Sequence, residues 1–587
     1  MINNLGSTNL MDNGTLREPD IVMNPSRLGA MHQSRLSFVR SLVRRMARQK
    51  WTISQSEWAL DGQGFGHVIY RIDTLENHYH LLIFSDEIAN DERNDRVIAQ
   101  KWDITFALVH GDVDSGLFSR LKDNVPLQEA GRNCSQVLVL ARANKSMRVF
   151  EHLVDSLSSG MQPQRDILAS VGYILRTTAV YGNGKFGIAD FEVLKQNLDF
   201  EPSFSAQMCA VYVLRQFSLD WVHYLAKQRG GDQAVELIKP LQRYLGVGNA
   251  TGLGMVPYLI NHPKIMDRWL SQREHAIAAT SCQPLTQAKS TSLVKLLRRA
   301  VIHLQQVITI DTNQQEKNRL SVQELDTLIS RLTQELYHQW QTLIQDTQTY
   351  SYESQEIVIT CMLELYPDLV DKYELTMNAD EALCLRPGLL IEEILQILQH
   401  RYLWALNIDF SLAKSSHWFW YRSKDKEEPR MGVRGVEPGD EQEMSLDIAR
   451  QVSRLHQALI NKPVSMPVSE FLLEQPQYRS ITRRVWAMTQ CPLGDIQVNL
   501  LDKQTLPMDL LRCKLAMFGA TKFDPRSSRW VRVTLFQGAP MSDELHTDEW
   551  LFPVFPQEGL LQNQLQNQLP QNNAIPGSSL TTNPDEA

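Results

Sequence analysis

Near residue 144 the hydrophobic period of the chain changes from that of strands to that of helices, and few architectures accept both. Short apolar or alternating runs at 51–60, 67–73, 78–85, 104–110 and 136–140 read as strands, with a turn-sized link at 75–77 and a helix near 92–101. Beyond residue 144, apolar positions recur at helical spacing as far as about 410, including 204–227, 292–308 and 321–344. In the first of these, Phe204, Met208, Val211, Phe217, Trp221 and Leu225 fall on one face. Ser321 and Glu324 have capping-box spacing, so a helix is expected to start there. The fold class expected is α+β and predominantly α-helical, a mostly antiparallel N-terminal sheet unit followed by a large helical body.

That pattern divides the 587 residues into an unstructured tail (1–27), a sheet unit (28–150), a helical body (151–410), a mixed section (411–556) and a Gln/Asn-rich tail (557–587). Helix resumes at 446–459, and strand-like runs recur at 496–501 and 530–536. Residues 421–443 are charged and carry Pro429, Gly432, Gly435, Pro438 and Gly439, a loop expected to serve as a lid.

Lys+Arg number 59 against 67 Asp+Glu, a net charge of -8, so nothing global argues for nucleic acid or an anionic membrane as the main partner. Seven cysteines lie scattered and never in C-x-x-C spacing, as reduced thiols do in a cytosol. There is no secretory apolar segment and no run of eighteen apolar residues, so a soluble, cytoplasmic protein is expected. Within 34–50, Leu36, Val39, Leu42, Val43 and Met46 share a helical face, with Arg35, Arg40, Arg44, Arg45 and Arg48 mostly elsewhere. Such a basic helix pairs either with an external partner or with the protein's own carboxylates.

Two glycine-punctuated segments carry the chemistry. The first runs from Arg176 and Thr177 through Tyr181, Gly182, Asn183, Gly184 and Lys185 to Gly187, after a helix expected at 165–175. Glycines there let successive N–H groups converge on an oxyanion, with Lys185 and Arg176 supplying charge. Phe186 follows Lys185 and no strand is expected before the segment, so a nucleotide-triphosphate loop is not supported. The second segment, 246–255, holds Gly246, Gly248, Asn249, Thr251, Gly252 and Gly254 after a helix expected at 232–245. There Asn249 and Thr251 are expected to cap a following helix whose free amides face a ligand. The alternative in both places is a plain helix-to-helix corner.

A third cluster, His417 with Trp418, Trp420, Tyr421 and Arg422, then Arg430, suits a proton-transferring histidine beside an anion clamp, or an aromatic core anchor. Arg142, Asn144, Lys145, Ser146 and Arg148 are expected to open a helix after a strand. His78 and His80 share a strand face with His67 on a neighbour, but no carboxylate or cysteine joins them in ligand spacing, so no metal is assigned. No G-x-S-x-G or H-E-x-x-H occurs.

The expected function is that of an enzyme acting on a small anionic metabolite, carboxylated or phosphorylated, bound between the two glycine segments. Arg176 and Lys185 clamp the anion, Thr177, Asn183, Gly184, Asn249, Thr251, Arg422 and Arg430 orient it, and His417, Tyr181 or Lys185 moves a proton. A non-catalytic interaction or regulatory protein is the alternative, and a nucleic-acid binder using 40–50 and 522–532 a weaker one. No motif names a cofactor, a reaction type or an oligomeric state.

Overall fold

Alternating apolar residues build β1 (Thr52–Leu60), β2 (Gly66–Asp73), β3 (His78–Ser85) and β4 (Ile104–His110), each antiparallel to the last. The computed structural model describes residues 16–88, 102–124, 135–179, 197–202, 204–252, 263–307, 309–376, 384–408, 419–423, 426–432, 441–442, 445–495, 507–527 and 530–556. The architecture is α+β and helix-dominated, and its sheet has nine strands.

Five of those strands come from β5 (Val137–Lys145), β6 (Tyr173–Thr177), β7 (Gly246–Gly252), β11 (Lys522–Ser527) and β12 (Trp530–Leu535), in the order β1-β2-β3-β4-β5-β6-β7-β12-β11. The sheet therefore crosses the boundaries expected near 150 and 410. Among the described strands, β6 and β7 form the only parallel pair. A smaller sheet holds β8 (Phe419–Ser423), β9 (Lys426–Gly432) and β10 (Glu441–Gln442), ordered β10-β8-β9. The charged stretch expected as a lid is thus strand in part; 433–440 lie outside the described residues.

Both faces of the large sheet are covered. Val68, Leu81, Ile83, Phe106 and Ala141 join the helix Ser205–Gly230 in the main core, and the Tyr70 hydroxyl donates to Asp220 of that helix. On the opposite face Ile69, Leu82, Phe84 and Ala107 meet Leu117 and Leu121 of the helix Ser115–Asn124. Burying each of the larger side chains, valine to phenylalanine, contributes about 1.5–3 kcal/mol. A second core gathers Leu297, Leu328, Trp340 and Cys361 from helices between 263 and 376, and a third joins Ile391–Arg401, Ser445–Leu459 and Arg479–Ala487.

Several expected elements differ. The helix expected at 165–175 ends at Val171, because Gly172 adopts φ +82 and turns the chain into β6. The helix expected from Ser321 begins at Thr312, where the Asp311 carboxylate accepts from Gln314 N at 2.8 Å; Ser321 is buried inside it. Glu324 instead accepts from the Ser351 amide at 2.9 Å. Residues 16–30, partly assigned to an unstructured tail, carry the helices Pro19–Val22 and Pro25–Ala30. Arg17 is held there by Glu274 and Glu356, and Arg27 by Glu356. The helix near 92–101 and the strand at 496–501 lie outside the described residues. Among the described residues no helix is long and apolar enough to cross a membrane.

Candidate functional site

The sheet centre is where the first two motifs meet. Arg142, Asn144 and Lys145 do not open a helix; strand β5 continues through them, and the next helix begins at Phe150. Asn144 is the register partner of Arg176, so the two side chains share a face of the sheet. The end of β6 is pinned by Arg142, whose carbonyl accepts from Thr177 Oγ1 and from Thr178 N, both at 3.0 Å. Arg142 itself lies over the Trp102 ring at 4.7 Å, and burial pushes its guanidinium down to about 10. Trp102 and Thr178 were not singled out by spacing, because only strand pairing brings them here.

Asn144 also organises the neighbouring turn. Its Oδ1 accepts from Asp103 N at 3.1 Å, while the Asp103 carboxylate accepts from Lys145 N at 2.9 Å. Lys145 Nζ sits 4.5 Å from the Trp221 ring centre and 4.6 Å from that of Phe150.

The second glycine segment is strand β7, not a loop before a helix. Glycine is required at two positions by packing: a Cβ on Gly248 would land inside the Tyr173 ring, and one on Gly246 would strike the Leu535 carbonyl. Asn249 and Thr251 therefore stand within a strand, and the residues after Gly252, where a capped helix was expected, lie outside the described residues. Gly248 is the parallel register partner of Arg176, and Asn249 faces Val533 of β12. Arg176, Thr177 and Asn249 are buried, with Asn249 at 0% exposure, and among the described residues neither Asn249 Oδ1 nor Nδ2 has a hydrogen-bond partner. Leaving a buried amide unpaired costs about 1–3 kcal/mol for each group.

The other site residues are distributed as follows. Tyr181, Asn183, Gly184, Lys185 and His417 lie outside the described residues. A strand, β6, does precede the Lys185 segment, contrary to expectation, although Phe186 still departs from the phosphate-loop pattern. Arg422 and Arg430 stand on adjacent strands of the smaller sheet, Arg422 opposite Pro429 and Arg430 opposite Tyr421.

The histidines are taken up separately. His67 meets Glu57 at 2.9 Å, His78 meets Asp112 at 2.9 Å, and His80 Nδ1 contacts the Gly111 carbonyl at 2.8 Å. His67 pairs with Phe84 and His80 with Arg71, four residues further along β2. Among the described residues no group of three or more His, Cys, Asp or Glu is arranged to hold a metal ion. Cys209 and Cys361 are fully buried, and burial pushes the Cys209 thiol up to about 12.

The basic segment pairs internally. Its helix is Phe38–Arg48; Arg40 grips Glu364, Arg35 grips Asp371, and Arg44 and Arg48 reach Glu374. In the hairpin β11–β12, Lys522 Nζ donates to the Ala169 carbonyl at 2.6 Å and Arg532 to that of Ser170 at 2.8 Å. Those cations anchor the helix Arg165–Val171 to the sheet rather than forming an open basic stripe. Compared with known protein families, curated proteins and solved structures, the chain is matched by none.

Proposed function

We propose that the carboxyl ends of β6 and β7 form the binding site of an enzyme for a small anionic metabolite, carboxylated or phosphorylated. One relation supports the reading: Arg176 and Gly248 are register partners, so β6 and β7 end side by side, and Asn249, on the face opposite Arg176 and beside Val533, is buried with neither amide atom hydrogen-bonded among the described residues. In sheets with parallel strands, ligands collect outside the carboxyl ends, where successive chain segments diverge. In sequence β6 is followed by Gly182–Lys185 and β7 by Gly254, and β6 and β7 are neighbouring strands of the same sheet. Lys185 then supplies the charge, Asn183 and Asn249 the orienting amides, and Tyr181 or His417 the proton.

Native mass spectrometry of freshly purified protein tests this. A co-purified acid that is released on denaturation and lost in Lys185→Met supports the site. Protein that is free of small molecules and shows no thermal shift with inorganic phosphate or citrate speaks for the non-catalytic alternative.

A further inference from the structure

Between the helices Phe38–Arg48 and Gln287–Gln306 lies a cleft of about 650 Å³, within the usual size of small-molecule sites. Six cations line it: Arg35, Arg40, Arg44, Arg48, Lys295 and Arg299. Among the described residues three carboxylates answer them. Arg40 holds Glu364 through both Nη atoms, at 2.8 and 2.7 Å, and Arg35 holds Asp371 through Nε and Nη2, at 2.9 and 2.7 Å. Arg44 and Arg48 share Glu374, at 2.9 and 3.3 Å, and Arg44 Nε lies 3.4 Å from Asp371. Among the described residues the cleft thus keeps three positive charges in excess.

The uncompensated charge is concentrated at Arg299. Its guanidinium is half-buried and makes no hydrogen bond or ion pair among the described residues, and its Nε is sealed from solvent without an acceptor. Arg40 and Arg44 also carry a buried Nε–H with no hydrogen-bond acceptor. Like charges crowded at low dielectric repel, so folding alone gives no reason to gather them. A guanidinium fork matches a phosphate, and Lys295, one turn before Arg299 on the same helix, adds a mobile ammonium. The i, i+4 spacing of Lys295 and Arg299 was the signal in the sequence; three of the paired arginines come from the helix Phe38–Arg48 and Arg35 from the turn before it, far away in the chain.

Beside the charges, where Arg40 donates to the Phe552 carbonyl at 3.2 Å, the lining is apolar. Leu296, Trp550, Leu551, Phe552 and Val554 contribute to it, and the Trp550 indole is fixed by donating to the Leu545 carbonyl at 3.2 Å. We propose that this cleft is a second ligand site, separate from the sheet centre, for a small phosphorylated molecule with an apolar body. The phosphate sits between Arg299, Lys295 and the outer face of the paired arginines, and the body packs on the 550–554 segment.

Isothermal titration of the full chain with AMP, ATP and inorganic phosphate tests the assignment. AMP or ATP should bind saturably and more tightly than inorganic phosphate, and Arg299→Met should weaken that binding at least about tenfold, the worth of one charge-assisted hydrogen bond. Because Arg299 makes no hydrogen bond or ion pair among the described residues, the Arg299→Met protein should melt no lower than wild type, so lost binding is not lost folding. Asn249→Leu should leave nucleotide binding unchanged, which separates this cleft from the sheet-centre site. Absence of saturable binding by either nucleotide, or equal affinity in wild type and Arg299→Met, would overturn the proposal. Inorganic phosphate binding as tightly as AMP would overturn the role given to the apolar wall.

Discussion

Arg273 Nη2 donates to Glu356 Oε2 at 2.6 Å, and neither side chain is exposed to solvent. Glu356 also accepts from Arg17 at 2.9 Å and Arg27 at 2.7 Å, so one carboxylate ties residues 16–30 to two helices of the helical body. Burial would raise its carboxyl, but the fields of Arg17, Arg273 and Arg27 outweigh this and hold it well below the usual range. Glu356→Gln removes the charge that faces Arg273, Arg27 and the partly exposed Arg17, which keeps Glu274, and is expected to cost about 3–5 kcal/mol in urea unfolding. A group with a depressed folded pKa contributes stability that is present above its unfolded value of 4.5 and lost as pH falls through the folded value. Wild-type melting temperature should therefore decline below about pH 4.5 more steeply than that of Glu356→Gln; parallel curves would refute the assignment.

His32 and His303 report on a different pH window. Both rings pack on Phe555, with centroids 5.5 and 5.9 Å away, and His303 Nδ1 contacts the Pro556 carbonyl at 2.9 Å. Burial, reinforced by Lys522, Arg299 and Arg512, pushes His303 down to about 4 against the opposing hydrogen bond. Both forms are neutral above 6.5; below it the unfolded chain takes up a proton that the folded chain refuses. Stability should thus fall between about pH 6.5 and 4, by about 3 kcal/mol for His303. His303→Gln should flatten the melting curve in that interval, and an unchanged slope would count against it.

Asn249 separates ligand binding from folding. Replacing it with leucine removes two unpartnered buried polar atoms and is expected to be neutral or stabilising by about 1–3 kcal/mol. Binding at the sheet centre should be lost in the same variant. A lowered melting temperature for Asn249→Leu would show that the amide serves the fold.

Arg176 and Lys185 should behave differently from each other. Arg176 is 4% exposed within β6, so Arg176→Met lowers stability as well as binding. Lys185→Met should weaken an anionic ligand by about 1.5–3 kcal/mol and leave unfolding unchanged. Equal ligand affinity of Lys185→Met and wild type, measured by titration, would remove Lys185 from the site.

Limited trypsin digestion probes the N-terminal segment. Arg27 is 6% exposed and paired with Glu356, so early cleavage should not occur after it. Mass spectrometry of the first products showing a new N-terminus at Leu28 would contradict the packing of residues 16–30.

What the residues declared by themselves was local. Strands β1 to β4 were legible because alternation or a short apolar run bounded by turn residues is written in neighbouring positions, and the helix Ser205–Gly230 because its apolar face repeats within one turn. Arg176 and Asn249 were legible as residue types suited to an anion. The tertiary structure alone decided that β6, β7 and β11 are strands: β6 is buried at every position and shows no alternation, β7 is rich in glycine, and β11 contains Pro525. Gly248 is explained by the Tyr173 ring on the neighbouring strand, and the basic helix by Glu364, Asp371 and Glu374, more than three hundred residues away. Hydrophobic period is a property of a few consecutive residues, whereas strand pairing and charge compensation are properties of contacts, and only a closed chain settles which contacts those are.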